Sequence, residues 1–313
     1  MSAFDRNAPR PGTPGSGLGT PGTAGRPAAT RLAGGGGPLS RTAAPEPSRA
    51  PLRGAGADDY VAFCELFRKL TSIDLGQYKR GQMERRIRTF AQRSNHTDLV
   101  AYAAVLKDDA EELDRFLDRV TINVSQLWRN PQQWSLLAKQ VIPDIAKGGR
   151  VKAWSAGSSY GAEAFTMAAT FMQAAPGCRT EILGTDIDKR MVERARQGRF
   201  TVDDARDAPK DGIERWFTRD GAAWQAKPEL MRMVRFEVGD LLRIQPPKGT
   251  YDLILCRNTV IYFSEDVRDQ LHARLAEALR PGGYLMVGST ERVAFPAQLG
   301  LESCLPFTYR KSA

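Results

Sequence analysis

The sequence is poor in the residues that build metal sites and covalent cross-links. It has only two histidines, His96 and His272, and neither has a partner at metal-ligand spacing, so each is predicted to be an ordinary surface residue. Its four cysteines lie far apart and form no C-x-x-C pair, which predicts reduced thiols and neither a zinc site nor a disulfide framework. They are Cys64, Cys178, Cys256 and Cys304. We therefore expect no metal.

Long apolar runs are also lacking. No stretch approaches the roughly 18 apolar residues that a membrane-spanning helix requires, and the N-terminus has no continuous apolar segment of the kind that signal peptides carry. These features predict a cytoplasmic protein without membrane insertion.

Large apolar residues are scarce in residues 1–57, which contain 12 glycines and 9 prolines. Such a segment cannot bury enough surface to offset the entropy lost on ordering, so it is predicted to be a disordered tail. Seven arginines against Asp5 and Glu46 give the tail +5 of the net charge of +9. The remaining +4 is spread over 256 residues, which does not favour a nucleic-acid partner.

Residues 58–122 have helical periodicity throughout. Apolar residues recur at i, i+3, i+4 and i+7, and the spacing predicts four short helices that form a small all-helical N-terminal domain. The first helix shows the pattern in Tyr60, Phe63, Cys64 and Phe67.

The second predicted helix carries a basic face. Met83, Ile87 and Phe90 form a narrow apolar stripe, and Arg85 and Arg88 project roughly opposite to it. These arginines are either a solvated face or a docking surface for an acidic partner, and in the latter case salt would weaken the contact.

Residues 123–149 are predicted to be a connector followed by a helix, with Asn130 as its N-cap and Pro131 at its first position. From residue 150 to residue 313 strands and helices alternate, which predicts an α/β, doubly wound domain with a largely parallel sheet. Residues 199–233 interrupt the alternation, and we interpret them as an inserted subdomain that carries a hairpin.

Three predicted strands end in polar or glycine-rich segments. Parallel strands present their carboxyl ends at one edge of the sheet, where doubly wound folds bind ligands. The residues that follow these strands are Gly157 to Gly161 with Glu163, Asp186, and Arg257 with Asn258.

The first of these segments, in "VKAWSAGSSYGAEAFTM", has glycines spaced G-x-x-x-G and not in the G-x-G-x-x-G spacing that binds pyrophosphate. A carboxylate such as Glu163 would repel phosphate and attract a cation. S-adenosylmethionine fits better, because its sulfonium and ammonium suit Glu163 and its ribose suits Asp186. Taken singly, either acid could be a helix cap or a helix-dipole partner. Together they predict a class I S-adenosylmethionine-dependent methyltransferase with a Rossmann-like domain.

From residue 58 onward the chain resembles the CheR-type chemoreceptor glutamate methyltransferases. "SIDLGQYKRGQMERRIRTF" resembles the helical domain of that family, and "TINVSQLWRNPQQW" resembles its T-x-N-x-[ST]-x-F-F-R-[DN]-P connector. "WSAGSSYGAEAFT" is similar to its W-S-A-A-C-S-T-G-E-E-P-Y-S segment, and "GTDID" and "CRNTVIYF" are nearly as the family has them.

The resemblance implies methylation of glutamate side chains on the helical bundle of a methyl-accepting chemoreceptor, with Arg85 and Arg88 docking that substrate. Because a glutamate is already ionised at neutral pH, we expect no catalytic base. Arg129 and Tyr262 are expected to shape the pocket of a monomeric enzyme, although Tyr262 could equally be a core residue. The cofactor-binding residues expected from the strand ends and the resemblance together are Asn123, Ser125, Arg129, Gly157, Glu163, Asp186, Asp240, Leu241, Arg257 and Asn258.

Two alternatives remain at this point. The chain departs from the family pattern at Tyr160, Ala162, Ala164, Phe165 and Asp240, as expected of a scaffold or sensor that binds S-adenosylmethionine without efficient transfer. The other alternative is methylation of nucleic acid. Enzymes that methylate the amino groups of bases usually have an N-P-P-Y-like stretch after the fourth strand, whereas this chain has "RNTVIYF" there.

Overall fold

The structure is a computed structural model that describes residues 58–121 and 123–312. The tail of residues 1–57, predicted to be disordered, lies outside the described residues. Within the described ranges, no helix has both the length and the apolar character needed to cross a bilayer.

The four predicted N-terminal helices are confirmed. Asp98 and Asp109 cap two of them by accepting backbone N–H bonds, which satisfies donors that a helix start leaves unpaired. Phe63, Tyr102 and Phe116 pack in the centre, with the ring of Phe116 edge-on to both others. The helices are α1 (Asp59–Thr71), α2 (Arg80–Arg93), α3 (Leu99–Asp108) and α4 (Ala110–Val120).

The predicted helix after the connector is divided into α5 (Pro131–Leu136), a π-helical turn (Leu137–Val141) and α6 (Ile142–Ile145). The prediction that Asn130 is the N-cap residue of this helix, with Pro131 at its first position, is confirmed. The φ angle of Asn130 is 58°, and its side chain makes no capping hydrogen bond. Its Oδ1 instead accepts a hydrogen bond from Arg257 Nη2 at 3.1 Å, so a long-range partner takes the oxygen that a cap would use.

The predicted doubly wound domain is confirmed. Its main sheet has seven strands in the order β6-β2-β1-β7-β8-β10-β9, parallel except at β10, which runs antiparallel to β8 and β9. The chain leaves β1 outward through β2 and β6 and then returns to β7 on the other side, so the switch point lies between β1 and β7. The strands are β1 (Arg150–Ala156), β2 (Arg179–Asp186), β3 (Arg199–Thr201), β4 (Phe217–Asp220), β5 (Ala223–Ala226), β6 (Val234–Val238), β7 (Tyr251–Cys256), β8 (Leu279–Val287), β9 (Leu301–Leu305) and β10 (Thr308–Lys311).

Helices cover both faces of this sheet. Buried apolar residues of β1, β2, β7 and β8 contribute to two clusters, one on each face, because successive side chains of a strand point to opposite sides. The terminal β9–β10 hairpin was not predicted. The helices are α7 (Ala162–Ala174), α8 (Lys189–Gln197), α9 (Lys210–Trp216), α10 (Pro228–Met231) and α11 (Glu265–Ala278).

Residues 199–233 form a second, smaller sheet. Its three strands lie in the order β3-β5-β4, and all pairs are antiparallel. The turn between β4 and β5 contains Gly221, whose φ is 56°, in the "RDG" stretch. Phe200 and Phe217 pack edge to face and join this sheet to the core of the larger domain.

The helical domain joins the sheet domain through a short antiparallel bridge between Tyr78 and Phe263. Lys79 N donates to Tyr262 O at 2.9 Å, and Ser264 N donates to Gln77 O at 3.0 Å. The ring centroids of Tyr78 and Phe263 are 5.1 Å apart, and the ring planes are inclined at 62°, so the rings pack edge to face. The bridge therefore holds the helical domain beside the segment that follows β7.

The prediction that His272 lies on the surface is wrong. Its side chain is fully buried in α11, and neither ring nitrogen has a hydrogen-bond partner in the described part of the chain. Leu271 and Leu275 are buried on the same side, so the apolar stripe of α11 is wide enough to include the histidine. Burial lowers the pKa of His272 to about 4. His96 is partly exposed.

Candidate functional site

The turn after β1 has a backbone that favours glycine at two points. Gly157 and Gly161 have φ angles of 80° and 87°, in the left-handed region. A Cβ atom at Gly157 would lie only 2.6 Å from Thr259 Oγ1, so a larger residue would also clash. Gly157 N donates to Thr185 O at 2.9 Å, which holds the turn against the end of β2. Gly157 is therefore required both by its φ angle and by its packing against Thr259.

Asp186 ends β2 and faces the same turn. Its Oδ2 accepts a hydrogen bond from Ser159 N at 2.7 Å, and its Oδ1 accepts one from Asp188 N at 3.0 Å. Burial raises the pKa of Asp186 to about 6, and these backbone donors oppose part of that rise. The group is therefore mostly ionised at neutral pH and can accept hydrogen bonds from ligand hydroxyls.

Glu163, in the first turn of α7, forms a buried ion pair with Arg257. Glu163 Oε2 lies 3.2 Å from Arg257 Nη1, and Ser155 Oγ donates to Glu163 Oε1 at 2.7 Å. Burial raises the pKa of Glu163, and the adjacent guanidinium offsets part of that rise. The negative charge of Glu163 and the positive charge of Arg257 therefore compensate each other at the junction of β1 and β7.

The other donors of Arg257 hold the connector. Its Nε donates to Gln133 Oε1 at 3.1 Å, and its Nη2 donates to Arg129 O at 2.9 Å and to Asn130 Oδ1 at 3.1 Å. The side chain of Arg257 is only 2% exposed. Arg257 therefore fixes the connector against the end of β7, in addition to lining the site.

The connector brings two further predicted residues to the same place. Asn123 Nδ2 donates to Asp188 Oδ2 at 2.9 Å, which ties the start of the connector to the start of α8. Arg129 Nη1 donates to Val124 O at 3.0 Å. Arg129 has no carboxylate within ion-pair distance among the described residues, so its charge remains available to an anionic ligand group.

The segments after β6 and β7 complete the site. Asp240 Oδ1 accepts a hydrogen bond from Leu242 N at 2.8 Å, which closes a tight turn. Asn258 has a φ of 59°, and its backbone N donates to Glu291 Oε2 at 2.8 Å. Glu291 is 3% exposed and also accepts from Gly288 N at 2.6 Å. It was not predicted, although an acid shortly after a buried strand, in "GSTER", was a possible signal.

All ten predicted cofactor-binding residues line one cavity at the carboxyl edge of the sheet, as does Tyr262. The sequence reasoning missed Tyr78 and Phe263, which line the same cavity at the domain junction. Tyr78 belongs to the helical domain, and no periodic pattern could have placed it here. The ten residues are Asn123, Ser125, Arg129, Gly157, Glu163, Asp186, Asp240, Leu241, Arg257 and Asn258.

The two predicted docking arginines lie in different surroundings. Arg88 forms ion pairs with Asp59 at 2.6 Å and with Glu84 at 2.8 Å, so it holds α1 and α2 together. Arg85 instead lines an open groove with three other arginines, and none of the four has a carboxylate partner in the described residues. We call this surface the arginine groove; its arginines are Arg85, Arg86, Arg93 and Arg119.

The donor set of the cavity fits S-adenosylmethionine. Asp186 could offer a carboxylate to ribose hydroxyls, and the backbone of Gly157 lines the cavity beside it. Asp240 adds a second acid, and Arg129 can meet a carboxylate. A sheet of this topology with such a cavity at its switch point defines a class I S-adenosylmethionine-dependent methyltransferase.

Comparison with known proteins gives a narrower identity. The family description "CheR methyltransferase, SAM binding domain" matches residues 123–305, and "CheR methyltransferase, all-alpha domain" matches residues 58–121. A chemotaxis protein methyltransferase of Listeria monocytogenes is 34% identical over 257 residues, which are 81% of this chain and 97% of the relative. Its counterpart in Listeria innocua is 35% identical over the same shares. Chemotaxis protein methyltransferase 1 of Vibrio cholerae is 29% identical over 246 residues, covering 74% of this chain and 88% of the relative. The chain belongs to the CheR methyltransferase family, and its cofactor is S-adenosylmethionine.

Proposed function

We propose that the protein transfers the methyl group of S-adenosylmethionine to glutamate carboxylates on the cytoplasmic helical bundle of a chemoreceptor, forming methyl esters. The observation that carries the proposal is the convergence of Glu163, Asp186 and Asn258 from three strand ends on one cavity. Their roles, and those of the other predicted cofactor residues, are part of the proposal.

The reaction needs little acid–base chemistry from the protein. The cofactor supplies an electrophilic methyl group on sulfur. A glutamate with an ordinary pKa of about 4.3 is already ionised at neutral pH, so no general base is required. The protein then acts by alignment and by excluding water. We assign the shaping of the acceptor side of the cavity to Arg129 and Tyr262, which both line it.

The arginine groove supports docking of an acidic helical surface. Burial lowers the pKa of Arg86, and no carboxylate within the described ranges compensates it, so a substrate carboxylate would gain from meeting it. We propose Arg85 as a docking residue. The internal ion pairs of Arg88 favour a structural role for it instead.

Several coarser features belong to the same proposal. We propose that the protein acts as a cytoplasmic monomer without a nucleic-acid partner. We also propose that it is organised as a tail (1–57), a helical domain (58–122), a connector with a helix (123–149) and a methyltransferase domain (150–313) whose inserted subdomain spans about 199–233.

The scaffold alternative is less well supported. Ala162 and Ala164 are fully buried in the core behind the turn, and Phe165 packs against Phe200 and Phe236 there. None of the three substituted positions faces the cavity. These three departures from the family pattern therefore leave the cavity wall unchanged, whereas Asp240, which stands where the family has Asn, adds a carboxylate to the lining.

A transfer assay separates these functions. The full chain is incubated with methyl-labelled cofactor and the cytoplasmic fragment of a chemoreceptor, and we expect label on the receptor that mild base releases, as for a methyl ester. Asp186→Ala and Glu163→Ala should each weaken cofactor binding. Tight cofactor binding without transfer to any receptor fragment would instead establish the scaffold function.

A further inference from the structure

Tyr160 links three parts of the molecule at a point where the family pattern has threonine. It lies in the turn after β1 and is 3% exposed. Its hydroxyl has one proton, which is shared between two acceptors, Asp204 Oδ1 at 2.9 Å and the carbonyl oxygen of Ser125. The guanidinium of Arg194 stacks over its ring, 3.9 Å from the centroid. From its place in the glycine turn, the side chain thus links the connector, α8 and the inserted subdomain.

Asp204 is the partner on the inserted subdomain. Its Oδ2 accepts hydrogen bonds from Thr201 N and from Arg194 Nη2, both at 2.8 Å, which fixes the carboxylate just after β3. Its backbone oxygen accepts a further bond from Leu127 N at 2.7 Å. Asp204 therefore holds the connector through its main chain and, by way of Tyr160, through its side chain.

The connector segment that these bonds hold forms part of the cofactor cavity. Residues 123–126 have no regular secondary structure, so side-chain links replace the hydrogen bonds that a helix or strand would supply. Asn123, Ser125 and Gln126 line the cavity. Asn123 fastens one end of the segment to α8 through Asp188, and the Tyr160 link fastens the middle.

We propose that Tyr160 is a positioning residue that, together with Asp204, fixes the connector over the cofactor cavity and makes cofactor affinity depend on the inserted subdomain. The proposal rests on the cofactor and not on the identity of the methyl acceptor. Without the hydroxyl, the connector would sample positions that do not close the cavity, and binding would then carry the cost of ordering it.

The test compares adenosylhomocysteine binding by titration calorimetry in the full chain and in Tyr160→Phe. This change keeps the ring beneath Arg194 and removes only the hydroxyl. We expect affinity to fall about tenfold, the effect of losing one hydrogen bond to a charged acceptor. Asp204→Asn should also weaken binding, and the double variant should lose less than the sum because both changes break one link.

Asp220→Asn is the matched control. Asp220 lies in the same subdomain and is 61% exposed, and its one ion-pair partner among residues 58–121 and 123–312 is Arg199, so binding should stay at the wild-type level. Wild-type affinity in Tyr160→Phe would overturn the proposal, and so would an equal loss in Asp220→Asn.

Hydrogen exchange of the ligand-free proteins separates positioning from general destabilisation. In Tyr160→Phe we expect faster exchange confined to the connector around residues 123–127, and a uniform rise across the chain would overturn the proposal. In a transfer assay the KM for the cofactor should rise while kcat at saturation is retained. If no receptor fragment is methylated at all, the function proposed above fails, but calorimetry and exchange still decide the role of Tyr160.

Discussion

Cofactor binding should depend on pH through Asp186. The pKa of this carboxyl is raised to about 6, chiefly by burial. In the proposed site, ribose hydroxyls donate hydrogen bonds to Asp186 and so favour its ionised form. Cofactor binding should therefore weaken as the pH falls through 6. At pH 5 about ten of every eleven molecules carry the proton, which predicts affinity about tenfold weaker than at pH 7, or about 1.4 kcal/mol.

The assay is calorimetric titration of adenosylhomocysteine between pH 5 and pH 8, repeated in buffers of different ionisation enthalpy to count protons released on binding. We expect close to one proton released near pH 5 and almost none at pH 8. Asp186→Asn removes the titrating group and should bind more weakly at pH 7 with a flatter profile. Any dependence of affinity on pH that remains in this variant would be assigned to Glu163, whose pKa is also raised by burial. An unchanged affinity from pH 8 to pH 5, or an unaltered slope in Asp186→Asn, would refute the placement of the ribose at this carboxylate.

Three further predictions concern stability and the turn. Because burial lowers the pKa of His272 to about 4, this histidine takes up a proton in the unfolded chain before it does so in the folded chain as the pH falls below 6.5. From pH 7 to pH 5 the wild type should therefore lose about 2 kcal/mol more stability in urea unfolding than His272→Leu, and parallel pH profiles of the two proteins would contradict this. Gly157→Ala places Cβ 2.6 Å from Thr259 Oγ1 at a φ of 80°, so it should cost about 1 to 3 kcal/mol of stability and weaken cofactor binding. A Cβ at Gly177 would meet no atom within 4 Å beyond its chain neighbours in the described part of the chain, so Gly177→Ala should be neutral in both assays. Arg257→Met leaves its carboxylate partner buried and should cost about 3 to 5 kcal/mol in urea unfolding, so a loss below about 1 kcal/mol would show that the pair is dispensable.

The fold and most of the cavity wall could be predicted because both depend on strand order. Alternating strands and helices place successive carboxyl ends along one edge, so Gly157, Asp186 and Asn258 had to converge once the sheet was recognised. The missed β9–β10 hairpin lies at the far edge of the sheet and contributes no residue to the cavity lining.

Features that depend on contacts between distant segments could not be predicted. Asn130 is the N-cap residue, as predicted, but its side-chain oxygen accepts a hydrogen bond from Arg257, far along the chain, and not from the helix. His272 is polar by type yet falls within a wide apolar stripe. Arg88 lies on an exposed-looking helical face, but Asp59 of α1 pairs with it. Helical periodicity reports which face is apolar and does not identify the neighbour of a polar side chain.

The bridge between Tyr78 and Phe263 has a practical consequence for engineering. A designer who grafts the helical domain of another receptor-specific relative onto this chain, in order to redirect it to a new receptor, would also replace part of the cofactor cavity, because Tyr78 lines it. If the helical domain docks the substrate as proposed, target choice and cofactor affinity are therefore not separable. A working chimera should exchange residues 77–79 and 262–264 as one unit, and hybrids joined elsewhere should show cofactor defects before any change in target preference.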